Sequence, residues 1–431
     1  MQEPHSGGVK LGRVAIIGAG PAGLMAAERV LSSGFGVHLY DAMPSPGRKF
    51  LLAGIGGMNI THSEPFDAFC QRYGEQAAVF RPLLEEFGPE QLVSWIHDLG
   101  IETLVGSSGR VFPKEMKAAP LLRAWLSRLK KQGLVLHTRH RWLGWSELGE
   151  LRFLHTHSRP ETDEPNTPFS PDFRPDAVIL ALGGASWKKL GSDGAWVSFL
   201  KQAGVSTTPL KPSNCGFVGR WSAHLSERFA GAPLKNIEAR FTDLTGRSHQ
   251  IRGECILTAQ GLEGGVIYAL SRYVREAIEH HGQAEIRLDL CPDRSEGNLT
   301  KGLASAPTSK TLSQVLKNRF NLTGAKTALL YEVLNKSQLT EKPLVARTIK
   351  SLPVKLYATT PLDEAISTAG GVCFSELTED LMLKKRPAVF CAGEMLDWEA
   401  PTGGYLLTGC FTTGKRAGDG VVRYLTGATG A

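Results

Sequence analysis

Three glycines and one aspartate carry the most informative spacing in the chain: Gly18-Ala19-Gly20-Pro21-Ala22-Gly23, followed by Asp41. Glycines in this pattern permit a sharp turn, a close approach of backbone amides to a pyrophosphate, and tight packing of a helix on a strand. Gly18, Gly20 and Gly23 stand in those three roles in that order. An acid roughly 20 residues further on can accept hydrogen bonds from a ribose, which is where Asp41 falls.

Such residues work only if a βαβ unit holds them, and the flanking pattern predicts one. Residues 13–17 read as a short buried strand. Residues 24–33 have helical spacing, with Leu24, Ala27, Val30 and Leu31 on one side, and Gly34 ends the helix. Residues 37–40 read as a second strand with Asp41 at its carboxyl end. The apolar run after Lys10 and Arg13, with small residues at 22–27, superficially resembles a secretory signal. Cleavage there would destroy a complete nucleotide motif, so the dinucleotide reading is preferred.

Further along, residues 46–64 are glycine-rich and too irregular for either period, and a loop of that length in an α/β domain is usually functional. Helical patterns follow at 80–99 and 118–131, strand-like segments at 134–154, and a proline-rich surface insertion at 158–176. Residues 177–182 form a buried strand that runs into Gly183-Gly184. From about position 207 the pattern changes to short alternating strands (237–242, 248–257, 284–290), then a helix-like, lysine-bearing stretch at 298–335, and a strand at 354–359. A last buried strand at 388–392 leads into Gly393-Glu394, and a glycine-fronted helix closes the chain.

The chain has 431 residues, 42% hydrophobic and 21% charged, which suits two or three ordinary domains. No apolar stretch reaches the roughly 18 residues a membrane helix requires. Seven cysteines without CxxC pairs signal neither zinc nor a dithiol centre, and a reduced cytoplasm is the simplest setting. The net charge of +7 looks dispersed apart from Lys384-Lys385-Arg386 and Lys188-Lys189, so a solvated basic surface is favoured over a nucleic-acid groove. His155 and His157 share a strand face without other ligands nearby, and they read as surface residues rather than a metal site.

Three buried strands thus end in glycine, at Gly18, Gly183 and Gly393, and in a doubly wound sheet their ends line one edge. One extended ligand touched by both chain ends fits this better than separate turns do, and FAD meets the requirement better than NAD. Glu394 is placed to serve ribityl hydroxyls, and the helix beginning near Gly403-Gly404-Tyr405-Leu406 offers free N–H groups and a dipole to an isoalloxazine ring.

The motifs GAGPAG, GRKFLLAGIGGMNITHSE, GRVFP, ALGGAS, STAGGV and FCAGEMLDWEAPTGGYLLTG, in this order and spacing, resemble the bacterial FAD-dependent oxidoreductase family of BaiN/RdsA type. That family includes aminoacetone oxidases and a flavin reductase of bile-acid metabolism. The resemblance covers roughly residues 12–205 and 366–425. It implies a glutathione-reductase-type FAD-binding Rossmann domain built from both chain ends (12–205 and 366–431), an inserted β-barrel domain (206–295 and 340–365), and a small helical insertion (296–339). It further implies that Gly18, Gly20, Pro21, Ala22 and Gly23 cradle the pyrophosphate, and that Asp41 and Ala42 meet the adenine ribose. Arg48, Lys49, Gly57, Met58 and Asn59 would approach ribose and flavin, and Trp142 would offer backbone to adenine. Ala181, Gly183, Gly184 and Gly393 would flank the cofactor, with Glu394, Gly404, Tyr405 and Leu406 near ribityl chain and ring. Relatives often have GxGRCNxTN where this chain has Gly54-Ile55-Gly56-Gly57-Met58-Asn59-Ile60-Thr61, and GGYN where it has Gly404-Tyr405-Leu406. Backbone contacts survive both changes and a side-chain amide role does not, so no relative's substrate carries over.

The expected function is an FAD-dependent oxidoreductase passing a hydride between a small organic substrate and flavin N5, with oxygen or NAD(P)H as second partner. The absence of a second GxGxxG after a strand argues against a dedicated nicotinamide domain and leaves NAD(P)H as a transient reductant. A tRNA-acting flavoprotein and a non-enzymatic FAD-binding protein are the alternatives. The sequence names no general base. Arg110 reads as a structural salt-bridge residue ahead of a substrate contact, Tyr405 suits packing or the ring equally, and Cys373 and Cys410 read as apolar fillers.

Overall fold

The computed structural model describes residues 12–53, 57–156 and 174–427. Lys10, Gly54 to Gly56, His157 and most of the proline-rich insertion lie outside them. The chain divides into two compact units, one of residues 1–211 and 367–431, the other of residues 212–366.

The first unit is built on a five-stranded parallel sheet. Its strands are β1 (Arg13–Ile17), β2 (Gly36–Asp41), β3 (Val135–Thr138), β4 (Ala177–Leu180) and β5 (Val389–Cys391), in the order β5-β4-β1-β2-β3. Every pairing is parallel, with Val14 opposite both Val37 and Ala177, and Val178 opposite Val389. A parallel sheet is covered on both faces, which is why β1, β4 and β5 read as continuous apolar runs and are buried along nearly their whole length. The last strand of the chain therefore lies two places from the first.

Helix α1 (Pro21–Ser32) crosses from β1 to β2 and starts three residues earlier than its apolar spacing suggested. The reason is Pro21, which sits at the first helical position, where its missing N–H costs nothing and its fixed φ suits the helix. The expected apolar face is buried, but so is most of the opposite face, because the C-terminal helix packs on it. The irregular stretch at 46–64 contains a short helix, α2 (Arg48–Leu52), and the strand Thr61–His62. The pattern at 80–99 is two helices, Ala77–Glu86 and Pro89–Asp98, interrupted at Phe87-Gly88 because Pro89 opens the second. The segment 118–131 is one helix, Ala118–Lys131.

The C-terminal helix, α3 (Tyr405–Thr426), runs against α1 with glycines at the contact. A Cβ on Gly414 would lie 2.3 Å from the Ala22 carbonyl oxygen, and one on Gly418 would lie 2.9 Å from that of Ala26. Beneath the helices, Glu28 of α1 is nearly buried, yet it accepts from Trp125 Nε1 at 2.6 Å, from Trp95 Nε1 at 3.2 Å and from Arg128 at 3.0 Å. A buried carboxylate is tolerated when it is paired in this way.

The second unit carries a seven-stranded sheet in the order Leu352–Leu356, Ala284–Asp289, Ala232–Thr242, Ser248–Leu257, Gly261–Glu263, Phe217–Val218, Ala358–Thr359. The strand expected at 354–359 is thus two separate ones. Within the β-rich pattern lies an unexpected helix, Gly265–His281, which buries Val266, Ile267, Leu270 and Val274 and ends at left-handed Gly282. The lysine-bearing stretch forms helices Glu296–Ala304, Leu312–Phe320 and Ala325–Val333, followed by Lys342–Lys350. Among the described residues no helix is long and apolar enough to cross a membrane, and no group of three or more His, Cys, Asp or Glu could hold a metal.

Replacing Gly414→Ala forces a methyl onto the Ala22 carbonyl, and overpacking of this kind costs about 1–3 kcal/mol against a helix-propensity gain of about 1 kcal/mol. Urea unfolding should show net destabilisation. Gly297→Ala, in a helix and with nothing near its Cβ position, should be neutral or stabilising; equal effects at the two sites would contradict the close packing of α1 and α3.

Candidate functional site

The carboxyl ends of β1, β4 and β5 open into one cleft of about 1050 Å3, counting the part open to solvent, in the first unit. Its walls include Gly18, Gly20, Pro21, Ala22, Asp41, Ala42, Arg48, Lys49, Trp142, Ala181, Gly183, Gly393 and Glu394. Both chain ends meet there because β5 pairs with β4 and β4 with β1.

Each glycine of the first turn is required for a different reason. Gly18 has φ +106, and a Cβ there would sit 2.1 Å from the Ala181 carbonyl oxygen. A Cβ on Gly23 would sit 1.9 Å from the Gly18 oxygen. Around Gly20, by contrast, there is nothing within 4 Å. Only Gly20 faces open space, at the N-cap of α1, where free amides and the helix dipole favour an anion.

Asp41 receives the Ala19 N–H on Oδ2 and the Met43 N–H on Oδ1, both at 2.7 Å. It ties the glycine turn to the end of β2 while keeping lone pairs for a ligand. Burial pushes its carboxyl above the usual range, against the pull of those two amides and of Arg48 and Arg141. On the same side, Arg141 pairs with Asp193 at 2.5 Å, and Trp196 donates to the Gly183 carbonyl at 2.9 Å.

Glu394, expected to face ligand hydroxyls, lines the cleft with both oxygens already engaged. Lys49 Nζ donates to them at 2.8 and 3.1 Å, and the Thr368 N–H donates at 3.0 Å. The same ammonium reaches Ser186 Oγ at 2.8 Å. Cys410 also lines the cleft, and burial, with Glu394 nearby, pushes its thiol up to about 12.

Three buried polar atoms in these walls have no hydrogen-bond partner: Arg48 Nε, Trp142 Nε1 and Ser192 Oγ. Two are donors only. A buried donor without an acceptor costs about 1–3 kcal/mol, so the cleft is chemically incomplete toward a ligand rich in acceptors.

Other expected residues lie outside these walls. Gly23 and Gly184 act through packing, since a Cβ on Gly184 would meet Thr368 Oγ1 at 2.3 Å. Met58 is buried, and its N–H donates to Met116 O at 3.0 Å, next to Gly57 with φ +126. Asn59 Oδ1 is a further buried atom without a partner. A Cβ on Gly404 would lie 2.4 Å from Thr61 Cα, so the start of α3 is pressed onto that strand, and Leu406 packs against the core. The Tyr405 ring is stacked on His62 at 5.5 Å, with Arg72 over it at 5.6 Å and Phe69 beside it. Burial and Glu64 push its phenol well up. The Tyr405 ring is thus packed among His62, Phe69 and Arg72. Arg110 is exposed and has no ion pair among the described residues, contrary to the salt bridge expected of it. His155 is half-buried with its ring edge on His140.

Sequence reasoning missed Arg141, Ser192, Asp193 and Trp196. The loop that carries Ser192 and Asp193 and leads into the helix begun by Trp196 was visible as glycines at 191 and 194, but only folding turns it toward the cleft.

The Lys49–Glu394 pair is largely shielded on the acid and partly exposed on the base, with side chains 13% and 30% accessible. A double-mutant cycle with Lys49→Met and Glu394→Gln should give a coupling of about 1–2 kcal/mol in urea unfolding. A coupling indistinguishable from zero would mean that the pair does not hold the cleft together.

The chain is 25% identical over 424 residues to the 3-dehydro-bile acid delta(4,6)-reductase of Clostridium scindens, covering 95% of this chain and 98% of that one. It is 25% identical over 299 residues to the ribosomal RNA dihydrouridine synthase of Haemophilus influenzae, 68% of each chain. The solved 3-ketosteroid-delta4-(5alpha)-dehydrogenase of Rhodococcus jostii shares its fold, with TM-score 0.50 at 15% identity over 95% of this chain and 96% of that one. Residues 12–420 match the model of the HI0933-like protein Rossmann domain, and the chain belongs to that family.

Proposed function

We propose that the protein is an FAD-dependent oxidoreductase that passes a hydride between a small organic substrate and flavin N5, with oxygen or NAD(P)H as the second partner. One observation carries the reading. In a single cleft, open space over Gly20 at a helix N-terminus lies among the unpartnered donors Arg48 Nε and Trp142 Nε1 and the Asp41 carboxylate. A diphosphate, a purine and a ribose are the complements of those groups. The names of the bile-acid reductase and the ketosteroid dehydrogenase support redox chemistry on an organic molecule.

FAD, when bound, supplies a ring that accepts or gives a hydride. The chain's own residues do the rest. The amides at the start of α1 hold the diphosphate, and Arg48 offsets its charge. Asp41 accepts from the ribose. Lys49 brings a positive charge to the cleft, and Glu394 fixes where that charge sits. Gly404 lets the first turn of α3, with its free amides, approach Thr61 without a side chain intervening.

Cofactor released by heating the purified protein should be FAD; FMN alone, or an apoprotein that takes up no FAD, would overturn the reading. Gly20→Val places its side chain in the space left for phosphate, so it should abolish FAD binding while the unfolding midpoint of the apoprotein stays at the parent value. Burial raises the Asp41 carboxyl in the free protein and a ribose donor that favours the carboxylate lowers it on binding, so binding is linked to proton release over the pH range between the two. FAD affinity should therefore rise with pH through the carboxylate range and level off above it, and Asp41→Asn should flatten that profile. Anaerobic mixing with NADH or NADPH then decides between oxygen and nicotinamide as the second partner.

A further inference from the structure

The first unit has a second cavity, of about 1260 Å3 counting the part open to solvent, that shares no wall residue with the cleft at the strand ends. It lies between the helices Ala77–Glu86 and Pro89–Asp98 and a small sheet in the order Thr61–His62, Arg110–Pro113, Thr103–Val105. Much of its wall is apolar: Phe66, Leu84, Pro89, Val93, Val105 and Val111. Val105, on the edge strand, is 60% exposed, so its side chain faces open space instead of the core. An apolar wall with a few polar groups at one side is the usual form of a small-molecule site.

The polar groups are of one sign. Glu64, Glu85 and Glu90 line the cavity, and no lysine or arginine does. His62 is engaged on both nitrogens, with Nδ1 accepting the Glu64 N–H at 3.1 Å and Nε2 bonded to the Ser108 carbonyl at 3.0 Å. Glu64 is answered by Arg72, at 2.6 and 2.9 Å. Glu90 stands in the first turn of its helix, where the positive end of the dipole offsets it. Glu85 has no such explanation. It is in the last turn of Ala77–Glu86, where free carbonyls already make the potential negative. It is exposed and has no ion pair among the described residues. Arg81, one turn before it, is bonded to Asp67 at 2.6 Å, and the neighbouring Glu86 is bonded to Arg416.

These charges choose the occupant. A carboxylate or phosphate ligand would meet three acids and no cation, and a neutral apolar ligand would leave Glu85 unanswered. A bare metal ion lacks a ligand set, since among the described residues no group of three or more His, Cys, Asp or Glu could hold one. An ammonium or guanidinium group on an apolar body satisfies both the carboxylate with its helix end and the valine-lined wall.

We propose that this second cavity binds a small organic cation, its charged group held by Glu85 at the carboxyl end of Ala77–Glu86 and its apolar body lying against Val93, Val105 and Val111.

The test is isothermal titration calorimetry of the full-length protein as purified, with phenylbutylammonium, phenylbutanol and phenylpentanoate as probes of similar shape and different charge. The ammonium should bind about ten-fold tighter than the alcohol, and the carboxylate should bind weakest. Glu85→Gln should weaken the ammonium about five-fold and leave the alcohol at its parent affinity, a difference that a merely structural effect would not produce. Val105→Lys puts a competing ammonium in the cavity and should weaken the cationic probe by at least about ten-fold. Leu148→Lys adds the same charge at a position that is 81% exposed and outside the cavity wall, and should leave binding at the parent value. The proposal is overturned if the ammonium fails to bind at about 1 mM, if the alcohol or the carboxylate binds as tightly as the ammonium, if Glu85→Gln leaves the ammonium unaffected or weakens the alcohol equally, or if the two lysine variants behave alike.

Discussion

The Glu394 carboxylate is the point on which the geometry of the cleft depends. It is bonded to Lys49 from α2 and to the Thr368 amide, while Lys49 also reaches Ser186. Thr368 Oγ1 in turn accepts from the Ala185 and Ser186 amides at 2.9 and 3.2 Å. Four segments, separated by up to 345 residues, are joined through one ion pair and its neighbours. A charge-assisted network of this kind is stronger than neutral contacts and is costly to leave half made. That fixes the ammonium where it can act electrostatically without becoming a free, mobile charge.

Beneath this network lies a constraint of closeness. The sheet brings the Gly18 turn onto the Ala181 carbonyl, α1 onto the Gly18 carbonyl, and α3 onto Ala22. At each of these contacts a single methyl group would collide with backbone, which cannot rotate away. The position that escapes is Gly20, where the corresponding space is open. Three glycines that look alike in a motif therefore divide into two that build the fold and one that leaves room for a ligand.

The two units solve the problem of burial differently. The first covers both faces of a parallel sheet, which demands long apolar runs and places chemistry at strand ends. The second surrounds a largely antiparallel sheet with its own core, in which Leu288, Leu316 and Leu352 are fully buried, and places its polar and basic residues outward on short helices. The first arrangement yields a cleft at the strand ends, and the second leaves basic side chains exposed on its helices.

Periodicity and glycine spacing were enough to read the βαβ unit, the buried strands β4 and β5 and the closing helix, because those features are local: each depends on residues within one turn or one strand. They also placed Gly18, Gly20, Asp41, Gly183, Gly393 and Glu394 at strand ends. The helix Gly265–His281 was hidden, its apolar spacing overshadowed by neighbouring strands and its end marked only by Gly282. Side-chain direction was likewise illegible. That Tyr405 lies between His62 and Phe69, that Glu394 is bound to Lys49, and that Arg141, Ser192 and Trp196 join the wall all depend on contacts between segments distant in the chain. Local pattern decides where a strand ends; only the packed sheet decides which other ends lie beside it, and therefore which donors and acceptors are already matched and which are left for a ligand.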